Sequence, residues 1–229
     1  MTPYQKSFID LCVKRGVLKF GDFTLKSGRP SPYFFNAGEL NDGEALNELA
    51  LSYGKTVESQ FHGKYDMLFG PAYKGIPLVT ISCLSLYQAT GTNVPYAYNR
   101  KEAKDHGEGG VLVGASMQGK QVIVIDDVMT AGTAVRESVD IITKAGGTLA
   151  GVVIAMNRQE RSTNDPTLSA VQSIEQQYGV QVASIISADL LVEYLVETNA
   201  APGQIQKIRD HLETYGVKDL KSAPVASLS

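Results

Sequence analysis

The chain has 229 residues, of which 43% are apolar and 20% charged, and this suits one soluble globular domain of ordinary size. Its formal net charge of -3 provides no basic field, which excludes nucleic acid as an expected partner. No apolar run reaches the length of a membrane span, and residues 1–14 have the pattern of an amphipathic helix rather than a signal peptide. We therefore expect a cytoplasmic α/β protein without a membrane partner.

In chain order, a helix is predicted over 5–14, followed by two short strands over 20–27 and 31–36 that form a hairpin-like lobe outside the main sheet. Strands and helices then alternate, which is typical of a mostly parallel sheet with helices on both faces. The later strands are predicted at 66–69, 94–98, 122–125, 151–156 and 181–186. The later helices are predicted at 44–62, 76–89, 134–145, 188–198 and 203–215.

This pattern predicts a single domain over 1–229. A small N-terminal hood lobe would take about residues 1–40, the core about 41–216 and a tail about 217–229. The connection over 160–166 is polar and is expected to be exposed. Asp22 and Arg29 have no predicted role and are expected on the surface.

The cysteines and histidines lack metal-ligand spacing. Cys12 and Cys83 lie in apolar helical patterns, so we expect reduced core thiols. His62 and His211 lie on predicted helices and are expected to be structural or exposed. No zinc-type spacing occurs, so no protein metal site is predicted.

The segment QVIVIDDVMTAGTA, residues 121–134, has the strongest functional pattern. An apolar run of Val and Ile ends at Asp126 and Asp127, which predicts a buried parallel strand with two carboxylates at its end. Small, hydroxylated residues then lead into a helix, an arrangement that can present backbone N–H groups to a phosphate. The alternative is a solvated strand end or a helix cap without a ligand. Neither a P-loop nor a GxGxxG pattern is present.

Two further motifs follow predicted strands. GPAYKG, Gly70–Gly75, predicts a tight turn in which Lys74 supplies a cation, and its alternative is a plain exposed turn. NRKEAKDHGEGG, residues 99–110, is typical of a solvated, mobile loop. Its cations could also close over a pyrophosphate, neutralise the leaving group and exclude water.

Two motifs concern a possible acceptor. Lys26 precedes the aromatic pair Phe34 and Phe35, which could equally be core residues. Arg158 follows the strand over 151–156, where an arginine is often a salt-bridge partner. Its planar guanidinium also suits bidentate binding of a carboxylate.

The segment over 121–134 resembles the 5-phosphoribosyl-1-pyrophosphate (PRPP) signature of type I phosphoribosyltransferases, specifically that of orotate phosphoribosyltransferases. The other motifs occur in the order that this family shows, and the resemblance covers about residues 4–216. It implies the type I phosphoribosyltransferase fold, an α/β fold with a central, mostly parallel sheet flanked by helices and a small N-terminal hood lobe. The implied reaction is Mg²⁺-dependent transfer of phosphoribosyl from PRPP to orotate, in pyrimidine (UMP) biosynthesis.

The resemblance also implies residue roles. Asp126 and Asp127 would hold the ribose, Tyr73 and Lys74 the pyrophosphate after a cis Ala72–Tyr73 peptide, and Arg158 the orotate carboxylate. The implied catalytic residues are Lys101, Lys104, His106, Asp126 and Asp127. The implied substrate-binding residues are Lys26, Phe34, Phe35, Tyr73, Lys74, Arg100, Lys101, Lys104, His106, Asp126, Asp127, Val128, Met129, Thr130, Ala131, Gly132, Thr133, Ala134 and Arg158.

Two consequences of the resemblance concern partners. Lys101 would reach the active site of a neighbouring subunit, which implies a homodimer with shared sites. Mg²⁺ would be held mainly through PRPP rather than by dedicated protein ligands. A purine phosphoribosyltransferase and a non-catalytic sensor of PRPP are the alternative functions, and the length argues against a fused decarboxylase.

Overall fold

The computed structural model describes residues 1–25, 27–104, 110–162 and 165–217, with the backbone alone at 103 and 104. Lys26, His106, the Lys104 side chain and the tail from residue 218 therefore lie outside the described part. The described helices are α1 (Pro3–Lys14), α2 (Gly43–Phe61), α3 (Gly75–Thr90), α4 (Thr133–Lys144), α5 (Ala170–Tyr178), α6 (Ala188–Thr198) and α7 (Pro202–Tyr215). The described strands are β1 (Leu18–Thr24), β2 (Pro30–Phe35), β3 (Met67–Gly70), β4 (Tyr96–Lys104), β5 (Gly110–Gly114), β6 (Gln121–Val128), β7 (Thr148–Asn157) and β8 (Gln181–Ser187).

Strands β3 to β8 form one sheet in the order β5-β4-β3-β6-β7-β8, and every neighbouring pair except β4 with β5 is parallel. Side chains of the central strand β6 alternate between two cores, with Ile123 and Ile125 on one face and Val122 and Val124 on the other. All four are fully buried, because helices cover both faces of the sheet. Helices α1, α2, α3 and α6 pack on the first face, and α4 and α5 on the second. This confirms the predicted fold class.

The strand order reverses between β3 and β6. From β3 the chain passes through α3 to β4 on one side, and β6 later pairs with the opposite side of β3. The connections that leave β3 and β6 therefore diverge and open a crevice at the carboxyl edge of the sheet. The motifs GPAYKG and DDVMTAGTA follow these two strands.

Strands β1 and β2 form a separate two-stranded antiparallel sheet, the hairpin predicted outside the main sheet. Tyr33 and Phe35 of this hairpin are buried in the core that also contains α1 and α2. Helix α7 packs against β2, where the rings of His211 and Tyr33 lie edge to face with centroids 6.2 Å apart. The hairpin is thereby joined to the sheet on one side and to α7 on the other.

The charged stretch from residue 99 differs most from its prediction. Instead of a loop, residues 99–104 are the second half of β4, and β5 returns antiparallel with Gly110 opposite Lys104. The cause is non-local: Leu112 and Val113 pair with Asn99 and Tyr98, which gives the charged segment a partner strand. The loop prediction was therefore wrong for the described residues of this stretch.

Two smaller differences lie near the carboxyl edge. Strand β6 continues through both carboxylates to Val128, because Asp126 and Val128 pair with β7. Helix α5 has no counterpart in the prediction and begins at a capping box between Ser169 and Gln172. The connection over 160–166, which was expected to be exposed, is partly buried, since the side chain of Glu160 is only 10% exposed.

Cys12 and Cys83 are both free thiols, the first buried and the second half-buried. None of the helices in the described ranges combines the length and the apolar character that a membrane crossing requires.

Gly151 of β7 provides a test of the packing between the sheet and α2. A Cβ at this position would lie 2.2 Å from Cε1 of Phe61, a side chain that is 1% exposed. Gly151→Ala should therefore lower the free energy of unfolding by about 1–3 kcal/mol, because the ring must shift within a filled core. Gly203→Ala is the matched control, since nothing lies within 4 Å of that position and alanine favours a helix. Thermal unfolding of both variants measures the effect. A melting temperature of Gly151→Ala equal to that of the wild type would contradict tight packing at Phe61.

Candidate active site

A cavity of about 580 Å³ opens at the carboxyl edge of the main sheet, between the hood hairpin and the strand ends. Its walls come from the hood, from the connections after β3, β6 and β7, and from the start of α5. The lining residues are Leu25, Ser27, Arg29, Phe34, Phe35, Asn36, Lys74, Asp127, Val128, Met129, Thr130, Ala131, Asn157, Arg158, Gln159, Glu160, Arg161, Ser169, Ala170 and Val171.

The acidic pair is held firmly at the end of β6. Asp127 is 7% exposed, and its Oδ1 accepts the backbone N–H of Val128 at 2.8 Å while its Oδ2 accepts the ammonium of Lys74 at 2.6 Å. Oδ1 of Asp126 accepts the backbone N–H of Asp127 at 2.9 Å. The hydroxyl of Tyr53 on α2 donates to the carbonyl oxygen of Asp126 at 2.7 Å. Backbone and helix therefore fix the pair, and a cation from the next strand end balances one of its charges.

Asp126 is less well compensated than its neighbour. Burial and the charge of Asp127 raise the pKa of Asp126 to about 6, although the N–H of Asp127 and the charge of Lys74 act in the opposite direction. Such perturbed carboxyl groups are concentrated at functional sites.

The connection after β3 contains the cis peptide bond between Ala72 and Tyr73 that the resemblance implies. The backbone N–H of Ala72 donates to Oδ1 of Asn99 at 2.8 Å, and Asn99 is a buried residue of β4. Lys74 lines the cavity, whereas the side chain of Tyr73 is 71% exposed and is not part of the lining. Asn99 of the neighbouring strand β4 thus supports the turn, and the turn places Lys74 at the cavity.

The connection after β6 has the form of an anion site. Val128, Met129, Thr130 and Ala131 line the cavity, and Gly132, Thr133 and Ala134 form the turn and the first residues of α4. Gly132 has a left-handed φ of 73°, and a Cβ there would lie 3.1 Å from the Ile174 side chain, so glycine meets both constraints. The first N–H groups of a helix have no intrahelical acceptor, and the helix dipole favours an anion beside them.

Arg136 fixes this connection from behind. Its Nη1 donates to the carbonyl of Ala131 at 2.6 Å, and its other nitrogens donate to Ser173 at 3.2 Å and Gln177 at 3.0 Å, both on α5. The helix that the sequence analysis did not predict therefore stabilises the candidate phosphate loop.

The hood supplies an aromatic wall. Phe34 is 38% exposed and lies against Phe23 with ring centroids 5.7 Å apart, whereas Phe35 is buried. Both line the cavity. The core interpretation of the aromatic pair therefore applies to the ring of Phe35 and not to that of Phe34.

Arg158 lies just after β7 and is 9% exposed. Its guanidinium lies 4.2 Å from the centre of the Tyr33 ring, and Nη2 donates to the hydroxyl of Ser31 at 2.9 Å. Nε and Nη2 lie 2.8 and 2.6 Å from Oε1 of Glu160. Arg158 is thus both a cavity residue and a member of a buried ionic cluster.

Glu160 and Arg29, whose charged groups lie 3.9 Å apart, were both expected to be exposed, and both line the cavity instead. Burial raises the pKa of Glu160, but a hydrogen bond from His211 and the charge of Arg158 outweigh it, and the net pKa lies below its ordinary value. Arg29, expected on the surface, lines the cavity, where Nη1 donates to the carbonyl of Arg161 at 2.5 Å. Asp22 is on the surface as expected, with 92% of its side chain exposed.

The cations of the ribbon formed by β4 and β5 lie apart from the cavity lining. Arg100 donates to the carbonyl of Gly110 at 3.4 Å, and Nζ of Lys101 lies 3.8 Å from Glu137 on α4. Lys26, His106 and the side chain of Lys104 are outside the described residues, so their predicted roles stay predictions.

Sequence reasoning missed the lining contributed by Arg29, Glu160 and the start of α5. The sequence did contain signals for two of these features. Ser169 followed three residues later by Gln172 is a capping pattern that indicates a helix start. Arg29 lies directly before a strand of the hood, beside other candidate residues.

In the described ranges, no group of three or more His, Cys, Asp or Glu side chains is placed to hold a metal ion. Asp127 nevertheless provides a carboxylate at the cavity, with Asp126 next to it in the chain, which fits a Mg²⁺ ion that keeps several waters and is held largely by phosphate oxygens.

The acidic pair gives a pH-dependent prediction. Because the pKa of Asp126 is raised from 3.8 to about 6, ionisation of Asp126 destabilises the fold progressively as pH rises through this interval. Asp126→Asn keeps an acceptor for the Asp127 N–H but removes the charge. It should raise the free energy of unfolding by about 1–3 kcal/mol at pH 7.5, with little effect below pH 4.

Thermal unfolding of the ligand-free protein between pH 4 and 8 measures this effect. Asp66→Asn is the matched control, because that exposed carboxylate also accepts a backbone N–H, from Gln121 at 2.8 Å, but lies at the opposite edge of the sheet. A gain that is the same at every pH would contradict the charge explanation.

Comparison with known proteins places this chain in a family. The family model of the phosphoribosyl transferase domain matches residues 37–185. The chain is 52% identical over 212 residues to the orotate phosphoribosyltransferase of Acinetobacter baylyi, covering 93% of this chain and 96% of the relative. It is 49% identical over 217 residues to that of Marinobacter nauticus, covering 95% and 100%.

A solved structure gives the same result for the fold. The crystal structure of orotate phosphoribosyltransferase from Francisella tularensis superposes with a TM-score of 0.83 at 43% identity, covering 92% of this chain and 100% of the other. By sequence and fold, the chain belongs to the orotate phosphoribosyltransferase family.

Proposed function

We propose that this chain catalyses, in the cytoplasm, the Mg²⁺-dependent transfer of the 5-phosphoribosyl group from PRPP to N1 of orotate. The products are orotidine 5′-monophosphate and pyrophosphate, and the step belongs to de novo pyrimidine synthesis. One observation carries the proposal: a phosphate-type loop, Asp127 of the acidic pair and a buried guanidinium, Arg158, line the same cavity. Relatives that are 49% and 52% identical over nearly the whole chain are named for this activity.

The donor would bind at the crevice between β3 and β6. Its 5′-phosphate would accept N–H and hydroxyl hydrogen bonds from the loop Val128 to Ala134, supported by the dipole of α4. Asp126 and Asp127 would accept hydrogen bonds from the ribose hydroxyls. Lys74 would exchange Asp127 for the pyrophosphate, since its side chain is 64% exposed and needs only to turn. Backbone groups at Tyr73 would complete the pyrophosphate site.

The acceptor would bind between the hood and the end of β7. The planar base would lie along Phe34 and Phe35, whose backbone groups would bond its edge. The carboxylate would meet Arg158, because a guanidinium combines positive charge with N–H donors for carboxylate oxygens. Lys26 is assigned to the same region by the resemblance alone.

Catalysis would depend on electrostatics and position. As pyrophosphate leaves, C1 of the ribose develops positive charge, and Asp126 and Asp127 place negative charge nearby. When bound, Mg²⁺ would supply further positive charge to the leaving pyrophosphate, in addition to the ammonium of Lys74. A covalent nucleophile is not required.

The active form would be a homodimer with shared sites. Arg100 and Lys101 are not among the residues that line the cavity of their own chain, so the cations of the ribbon would serve the neighbouring subunit together with Lys104 and His106. Helix α3 exposes 56% of both Leu84 and Tyr87, an apolar surface that suits a second copy of the chain.

An assay of orotate loss tests the proposed function. With PRPP and Mg²⁺ the purified protein should consume orotate and release pyrophosphate in equal amounts, while adenine, hypoxanthine and uracil should not replace orotate. The reason is that these bases lack the carboxylate that Arg158 would bind. Consumption of a purine instead, or of no base at all, would reject the proposal.

Sharing of sites predicts complementation between two inactive variants. Lys101→Ala and Asp127→Asn should each lose most activity alone, because each lacks one half of every site. After reassortment of equal amounts, about a quarter of wild-type activity should return, since half of the dimers are mixed and each has one intact site. Differently tagged subunits confirm mixing, and proven mixed dimers without recovered activity would contradict sharing.

A further inference from the structure

The guanidinium of Arg158 is restrained on three sides. Its face lies 4.2 Å from the centre of the Tyr33 ring, and Nη2 donates to Ser31. Its Nε and Nη2 edge is taken by Oε1 of Glu160 at 2.8 and 2.6 Å. Because Arg158 makes all of these contacts and is only 9% exposed, its guanidinium has little freedom to change orientation.

Glu160 is itself fixed by a third element. Nε2 of His211 on α7 lies 3.0 Å from Oε1 of Glu160, the oxygen that contacts Arg158. The two side chains are 10% and 4% exposed, so both are shielded from water. The backbone adds to this connection, because Arg161 N–H donates to the carbonyl of Tyr215 at 2.8 Å and Val217 N–H to that of Gln159 at 2.9 Å.

A buried carboxylate beside a buried guanidinium can have two roles. It balances the charge, which concerns stability, and it selects which edge of the guanidinium remains available. With the Nε and Nη2 edge engaged by Glu160 and the second N–H of Nη2 donated to Ser31, the two N–H groups of Nη1 are those left for a ligand among the described contacts. The restraint would therefore determine the direction from which an anion is bound.

We propose that Glu160 is a positioning residue for the acceptor, which holds Arg158 in the orientation that binds the carboxylate, and that His211 anchors Glu160 to α7. The proposal rests on the proposed function, because it takes the partner of Arg158 to be the carboxylate of orotate. Neither Glu160 nor His211 touches the reacting atoms. Their effect should concern recognition of the carboxylate and leave recognition of phosphate unchanged.

Two nucleotides that differ by one carboxylate isolate this effect. Orotidine 5′-monophosphate and uridine 5′-monophosphate share phosphate, ribose and pyrimidine ring, so the ratio of their Kd values reports on the carboxylate contact alone. A general loss of structure would weaken both ligands together and leave the ratio unchanged. Titration calorimetry on the full chain measures both constants.

The wild type should bind orotidine 5′-monophosphate more tightly than uridine 5′-monophosphate. Glu160→Gln should lower this preference about tenfold, the scale of one weakened charge-assisted hydrogen bond, with Kd for the uridine nucleotide changed less than about twofold. His211→Leu should lower it in the same direction. His211→Gln, which keeps an N–H donor for Glu160, should retain most of the preference.

His62 and Glu58 provide the matched control, since Nδ1 of this exposed histidine lies 2.5 Å from its carboxylate partner on α2 and neither residue lines the cavity. His62→Leu and Glu58→Gln should leave both Kd values unchanged. If the wild type shows no preference for the orotate nucleotide, the proposed function fails at Arg158. If the wild type shows the preference but Glu160→Gln retains it, or weakens the binding of both nucleotides by the same factor, the positioning proposal is overturned. The proposed function would stand in either case.

Discussion

The ion pair between Lys74 and Asp127 joins the two strand ends between which the order of the sheet reverses. Its 2.6 Å contact joins the turn after β3 to the acidic pair at the end of β6, and both Lys74 and Asp127 line the cavity there. Because the lysine side chain is 64% exposed, its ammonium is hydrated and can leave Asp127 without being buried elsewhere. A pyrophosphate could therefore take the ammonium, and ribose hydroxyls the carboxylate, at small cost. The pair keeps both groups in place without binding them irreversibly to each other.

At the acceptor end of the cavity the charged side chains are fixed by burial and mutual contacts. Arg158, Glu160 and His211 are nearly excluded from water, and an uncompensated charge among them would be strongly destabilising. This cluster depends on α7, which lies about fifty residues later in the chain. In the proposed reaction, the exchangeable pair of Lys74 and Asp127 would serve PRPP, whose pyrophosphate must be released. The fixed cluster around Arg158 would serve orotate, which must be distinguished from other bases.

The sequence predicted the features that depend on local patterns. Apolar strands that end in Asp126 and Asp127, or in Arg158, could be recognised because burial on both faces of a parallel sheet gives continuous apolar runs. The strands around residues 99–114 could not, because the charged half of β4 is a strand only through its pairing with β5. The same holds for Glu160, whose polar neighbours indicate solvent until α7 covers it. Non-local contacts determine what was missed.

A crystal structure of the complex with orotidine 5′-monophosphate would show whether donor and acceptor groups meet in one cavity at the strand reversal. We expect in that structure the phosphate at Thr130 to Ala134, the ribose hydroxyls at Asp126 and Asp127, and the carboxylate within hydrogen-bonding distance of Arg158. A nucleotide bound with its phosphate away from this loop, or with its carboxylate turned away from Arg158, would contradict it.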